Sequence, residues 1–417
     1  MRYRTIGDGR TSFEVSTLCL GTMNMGTLVD EDTSFAILDR YREAGGTFLD
    51  TANNYSFWAG GHGRDSEDLL GRWLASRGAR DEVRIATKLG AAKKDPALPL
   101  QNVEPTNFQG LGADVVADEA HESLRHLGVE HLDVLYGHVD DHGTPLAETV
   151  GAFGKLQAEG VVGITGISNV ALWRVVEARE EALRQGVAPY GLVQQNCTYA
   201  YPTPEPGRHN WASYELLDYA ASTGVEGRPP LAVTAYSPIL QGAYVRRDKP
   251  LWDGFDHPTT RERIRLLHEV AGELGATPNQ VALAWLLGGE HPVVPVIGPS
   301  TVEQLDDLLG AADLELDLDL RSRERARRLP GLPAGSSAGP ARRALGTTRA
   351  GVGRSVGGHG RTTRGGRHAP SIPDSPARSP RTLPRAPAAP RRGRAEARPR
   401  RRDRASAGSR AGAISTR

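Results

Sequence analysis

Between Ser16 and Gly310 the chain alternates short apolar runs with longer stretches in which apolar residues recur at helical spacing. The runs are STLCLGT (16–22), TFLDTA (47–52), VRIATKL (83–89), LDVLYGH (132–138), VVGITGIS (161–168), GLVQQN (191–196), LAVTAYS (231–237) and VVPVIG (293–298). They are brief, apolar and rich in β-branched residues, the composition of strands buried on both faces. Helical spacing predicts helices over 31–44, 66–77, 113–127, 146–159, 171–185, 211–223, 260–274 and 301–309. A further helix is predicted for PNQVALAWLLGG, with Pro278 just inside its start and Gly288–Gly289 at its end. Eight strand–helix alternations predict an α/β fold of the (β/α)8 TIM-barrel type. Ahead of them, YRTIGDGRTSFEVS reads as a β-hairpin turning at Gly7-Asp8-Gly9, expected to cap the lower mouth of the barrel. Two intervals, Ala91–Gly112 and Tyr199–Asn210, are long, leave strand ends and are candidate substrate loops.

Composition divides the chain. Of its 417 residues 38% are hydrophobic, a low share for a globular chain, and the deficit is local. Residues 331–417 contain no Phe, Trp, Tyr or Lys, and set 20 Arg against Asp374, Glu396 and Asp403. That segment has a formal charge of +17, whereas residues 1–330 carry −16, so the overall value of +1 hides two unlike parts. The expected organisation is a barrel over 1–330 and a disordered Arg/Pro/Ala/Gly-rich tail over 331–417, which lacks the apolar groups to offset ordering entropy. The tail admits three readings: a basic arm that adheres to nucleic acid without specificity, an appendage without function, or a GC-rich region translated out of its natural frame. It has no aromatics for base stacking, so no specific nucleic acid is expected. Cys19 and Cys197 are the only cysteines, too few for a disulfide framework, which suits a cytoplasmic protein. No apolar run reaches membrane-spanning length, and no signal-peptide core follows the charged N-terminus.

Reactive residues fall at the C-terminal ends of three predicted strands. Asp50 and Tyr55 lie in FLDTANNY, Lys88 ends VRIATK and His138 ends LDVLYGH. A parallel barrel collects such positions on one rim, where these folds build active sites. A phenol with an unperturbed pKa of about 10 is a weak acid at neutrality. A neighbouring ammonium stabilises the phenolate, and a carboxylate can hold that ammonium in place. The four groups therefore suit proton delivery to a carbonyl oxygen, with His138 orienting it. HVDDH (138–142) lacks supporting ligands at metal-site spacing, and no metal is expected.

The chain resembles the aldo-keto reductase family. The resemblance runs from about Tyr3 to Leu309 and includes LGTM at 20–23, FLDTANNY at 48–55, IATK at 85–88, LDVLYGH at 132–138, GIS-N at 166–169, VQQ at 193–195, AYSP at 235–238 and VIGPSTVEQL at 296–305. It implies a catalytic tetrad of Asp50, Tyr55, Lys88 and His138, with hydride transfer from a nicotinamide to a carbonyl carbon. It also implies that Ser168, Asn169 and a glutamine hold the carboxamide. Gln195 is favoured there, with Gln194 the alternative. Tyr236 would stack on the ring, Ser237, Ile239 and Gln241 would wrap the pyrophosphate, and Gly298, Ser300, Gln304 and Asp307 would meet the adenosine phosphate. Gly21, Thr22, Met23 and Asp50 would line the nicotinamide side. Phe57 and Trp58 are the candidate substrate-binding residues, with Trp211 and Trp252 on other rim loops.

Two departures bear on the cofactor. Leu308 stands where a related subgroup carries Asn, and no Arg or Lys occupies 298–305. Ser300 would serve a 2′-phosphate with help from Arg246, Arg247 or Lys249. NADP(H) is the expected cofactor and NAD(H) the alternative; no GxGxxG opens a helix early in the chain. The expected partner is a small-molecule carbonyl, the expected state a monomer or weak homo-oligomer. The rival readings are a nicotinamide-binding regulatory subunit with little turnover and a nucleic-acid-binding protein led by its tail.

Overall fold

The structure is a computed structural model. It describes residues 1–55, 61, 63–95, 107–204, 210–252, 254–288, 291 and 293–317. The expected tail over 331–417 lies outside them.

Eight parallel strands close into a barrel: β3 (Cys19–Gly21), β4 (Phe48–Asp50), β5 (Arg84–Leu89), β6 (Leu132–Gly137), β7 (Val162–Ser168), β8 (Leu192–Asn196), β9 (Ala232–Tyr236) and β10 (Val294–Ile297). Each coincides with one of the predicted apolar runs. Strand β10 pairs with both β9 and β3, which closes the ring. Side-chain alternation sorts these strands into two cores. Cys19, Phe48, Ala86, Val134, Tyr136, Ile164, Leu192 and Val294 fill the interior, while Leu20, Leu49, Ile85, Leu135, Val193, Val233 and Ala235 pack outward against the helices. Gly166 makes room inside, because a Cβ there would lie 2.6 Å from the Tyr136 ring. The Tyr136 hydroxyl meets Thr234 Oγ1 at 3.2 Å across the barrel.

The helices are α1 (Glu31–Glu43), α2 (Asp65–Arg77), α3 (Ala113–Leu127), α4 (Leu146–Ala158), α5 (Leu172–Gln185), α6 (Tyr214–Ala221), α7 (Pro258–Leu274), α8 (Pro278–Leu287) and α9 (Val302–Leu309). Local chemistry sets their ends. Asp30, Ser213 and Thr301 accept from backbone N–H groups at helix starts. Thr277 and Gln280 form a capping box around Pro278. Left-handed Gly78, Gly128, Gly186 and Gly275 stop four helices. Helix α7 starts two residues earlier than its periodicity suggests, because Pro258 takes the first position and His257 caps it. Helices α7 and α8 both precede β10 and enclose a second apolar core with Tyr199, Tyr244 and Phe255.

The N-terminal hairpin, β1 (Tyr3–Gly7) with β2 (Ser12–Ser16), pairs antiparallel as expected. Ile6 and Val15 join the interior core, Phe13 approaches Gly163 at the start of β7, and Arg84 at the start of β5 lies 5.2 Å from the Phe13 ring. The hairpin thus stoppers the N-terminal end, leaving the C-terminal rim for chemistry.

Candidate active site

Three of the four predicted reactive residues stand at or just past the C-terminal ends of neighbouring strands β4, β5 and β6. Asp50 ends β4 beside Gly21 of β3 and Ala86 of β5, and Lys88 of β5 pairs with Tyr136 of β6. His138 follows β6 directly, its N–H donating to Leu89 O at 2.8 Å. Tyr55 comes from the turn after β4, which is laid over the end of β5 by Thr51 N–H to Ala86 O and Asn53 N–H to Lys88 O.

The Lys88 ammonium is the centre of the arrangement. It is fully buried and donates to Asp50 Oδ1 at 2.5 Å, Thr51 O at 2.7 Å and the Tyr55 hydroxyl at 2.8 Å. All three of its N–H bonds are thereby used. Asp50 is held again from below, Gln194 Nε2 donating to Oδ2 at 2.8 Å. The Tyr55 hydroxyl lies 3.4 Å from Asp50 Oδ1, and its ring meets His138 edge-on at 6.0 Å.

The electrostatics differ from the sequence expectation in one respect. Burial, then the Asp50 charge, push the Tyr55 phenol well above its ordinary value. Lys88 was expected to pull it down, but low dielectric and a carboxylate together outweigh one ammonium already shared with that carboxylate. Tyr55 therefore keeps its proton across the neutral range. Burial, then Lys88, pull the His138 imidazole down to about 3, so it is neutral. Its Nδ1 is buried without a hydrogen-bond partner. A buried ring nitrogen left bare marks a place for a further polar group.

Beside the tetrad, Ser168 Oγ donates to Gln194 O at 2.8 Å, and Asn169 Nδ2 donates to His138 O at 2.9 Å. The Tyr236 hydroxyl donates to Asn169 Oδ1 at 2.8 Å and receives Asn210 Nδ2 at 3.2 Å, which fixes the edge of its ring. Ser168 and Asn169 do not cap α5: its N-cap is Ala171, without a side-chain bond. Asn169 instead adopts φ 56°, a left-handed conformation that a non-glycine residue holds only under constraint. Ser237, Leu240 and Gln241 do the same after β9, at φ 51°, 46° and 56°. Strained backbone thus gathers on the side of the rim where the resemblance puts a nicotinamide and its pyrophosphate. With the bare His138 nitrogen, it makes the residues present a fit for that cofactor.

By strand alternation Gln195 of β8 belongs to the outward set, and its Nε2 donates to Val170 O. Gln194, inward on β8, reaches Asp50. Thr22 is fully buried, and its hydroxyl bonds the Ser66 hydroxyl and the Asp50 carbonyl, which braces β4. Trp211 and Trp252 both pack on Phe255, with ring centroids 5.7 and 6.4 Å away, and hold rim loops together. Gly21 sits against β10, where a Cβ would lie 2.9 Å from Val296, and Met23 is exposed. Beyond β10, Gly298 is exposed, Gln304 Oε1 accepts from Ser300 N, and Asp307 accepts from Thr277. Leu308 is buried in the outer core. Ile239 is half-buried. Phe57 and Trp58 lie outside the described residues. Among the described residues no group of three or more His, Cys, Asp or Glu could hold a metal ion.

Comparison with known proteins agrees with this fold. The sequence model of the Aldo/keto reductase family matches residues 17–322. An uncharacterized oxidoreductase YrpG of Bacillus subtilis is 34% identical, over 75% of this chain and 92% of its own. Norsolorinic acid reductase stcV of Emericella nidulans is 32% identical, over 75% and 78%. An aryl-alcohol dehydrogenase [NADP(+)] of Phanerodontia chrysosporium is 27% identical, over 76% and 83%.

Proposed function

The chain belongs to the aldo/keto reductase family, and from that premise we propose that it reduces an aldehyde or ketone to the alcohol with NADPH, Tyr55 giving the proton. The observation that carries this reading is the single ammonium of Lys88 bonded to both Asp50 and the Tyr55 hydroxyl. When bound, the nicotinamide supplies the hydride. The chain's own part is the proton. Tyr55 holds it, because burial and Asp50 keep the phenol neutral. As negative charge develops on the carbonyl oxygen, Tyr55 releases its proton and Lys88, already 2.8 Å away, stabilises the phenolate left behind. Asp50 and Thr51 hold Lys88 so that it need not reorganise during the step. His138 stays neutral and directs a hydrogen bond to the same oxygen.

Ser168, Asn169 and Gln195, with Gln194 the alternative, would hold the carboxamide, Tyr236 the ring face, Ser237, Ile239 and Gln241 the pyrophosphate, and Ser300 and Gln304 the adenosine phosphate. Support for NADP(H) comes from one relative's name and from the loop after β9. Arg246 is tied to Asp248 at 2.5 Å, whereas Arg247 and Lys249 have no ion-pair partner among the described residues. Those two cations are the ones left to meet a 2′-phosphate. The reading is tested by following NADPH and NADH oxidation with a panel of aryl and aliphatic aldehydes and ketones. Carbonyl-dependent oxidation of NADPH, with NADH poorer, is expected. Tight NADPH binding with no oxidation across the panel would favour a regulatory protein.

A further inference from the structure

Glu119, on α3, touches nothing in the tetrad, yet three separate segments of the catalytic rim end on its carboxylate. Asn53 Nδ2, from the turn carrying Tyr55, donates to Oε2 at 2.7 Å. Arg64, from the residues that open α2 beyond that turn, donates to the same oxygen. Gln109, from the return of the candidate substrate loop after β5, donates to Oε1 at 2.9 Å. Asn53 and Arg64 lie on either side of Tyr55 in sequence, so one carboxylate secures the turn at both ends. Arg64 carries the connection further, to Ser123 of α3 at 3.1 Å and to Glu67 of α2 at 2.8 Å. Glu67 is fully buried and accepts from Thr87 at 2.6 Å, the residue beside Lys88 on β5. Lys88 faces inward and Thr87 outward, so both members of this strand end are fixed by charge.

Two carboxylates and one guanidinium behind a catalytic turn are a poor way to add stability. Well-packed apolar side chains in such places are often as stabilising or more so. What a charge cluster adds is direction: Glu119 can only accept, so both carboxamides must present N–H₂ groups to it, in one orientation. The outcome is visible on their far sides, where Asn53 Oδ1 and Gln109 Oε1 are buried without partners. These orientations are held against an evident penalty.

We propose that Glu119 is a positioning residue for Tyr55, coupling the turn that carries the phenol to the return of the loop after β5. The part concerning proton transfer rests on the reductase reading; the coupling itself does not. Hydrogen–deuterium exchange of the full-length protein, read by mass spectrometry for wild type and Glu119→Gln, separates the two. The variant is expected to lose protection by about tenfold or more at 51–55 and 107–112 together, with β7 and β8 unchanged. Loosening of only one of these segments, or of neither, would overturn the proposal. If Glu119→Gln fails to fold, Asn53→Ala removes a single bond and is expected to loosen 51–55 alone; unchanged exchange there would count against the coupling. With a carbonyl that wild type reduces, Glu119→Gln is expected to lower kcat about tenfold while the Kd for NADPH stays put. Asn53→Ala combined with Glu119→Gln should lose no more kcat than Glu119→Gln alone, and additive losses would contradict action through Asn53. A wild type that reduces nothing would defeat the reductase reading and leave the exchange result to decide the coupling.

Discussion

The Asp50–Lys88 pair derives its meaning from burial. An ion pair taken from water adds little net stability, but removing one partner strands the other charge. Lys88→Met would leave Asp50 with Gln194 and, at 3.4 Å, the Tyr55 hydroxyl as side-chain donors, and Tyr55 with no cation to support a phenolate. Reduction is expected to fall by about 10²–10⁴-fold, the usual scale of positioned proton transfer, while NADPH still binds. Steady-state kinetics beside a fluorescence titration of NADPH would measure both, and wild-type turnover in Lys88→Met would remove the ammonium from the mechanism. That these groups come together was legible in the sequence, because Asp50, Lys88 and His138 end apolar runs and their chemistries complement one another. The direction of the Tyr55 shift was not legible. It depends on how deeply the phenol is buried and on Asp50 sharing its ammonium, and neither is written in spacing.

At the scale of elements, alternation carried most of the fold. Eight apolar runs become eight strands, and the Pro, Ser, Thr and Gly punctuation marks most helix ends. The glutamine of β8 shows where pattern stops. In LVQQN every residue is buried, so hydropathy does not distinguish inward from outward positions. Only pairing does: Gln194 lies opposite Ser168 and Thr234, on the inward set with Leu192, which places Gln195 among the helices. The loop after β9 was likewise opaque, since Ser237, Leu240 and Gln241 are not residues that announce a left-handed backbone. Glu119 gave no sequence signal either. It sits in a helix rich in ordinary charges, and its importance comes from three distant segments converging on it.

The whole molecule divides by charge. The match to the family ends at residue 322, and the Arg-rich stretch from 331 lies beyond it. Residues 331–417 set 20 Arg against three acidic residues and contain no Phe, Trp or Tyr, too few large apolar groups to add to a core. Deleting 331–417 is therefore expected to leave the melting temperature unchanged. A fall of more than about 4 °C, on the order of 1 kcal/mol, would show that the segment packs against the barrel. Two buried thiols, Cys19 and Cys197, are both free and both pushed up by burial. Among the described residues no helix is long and apolar enough to cross a membrane.

The central claim is that the buried Tyr55 hydroxyl delivers the proton. It is tested most directly by comparing wild type with Tyr55→Phe in carbonyl-dependent NADPH oxidation, alongside NADPH affinity. The phenyl ring keeps the packing against His138 and removes only the hydroxyl held by Lys88. Turnover is expected to fall by about 10²–10⁴-fold with NADPH affinity near that of wild type. Turnover within a few-fold of wild type would contradict the account, because proton delivery would then come from a group other than Tyr55.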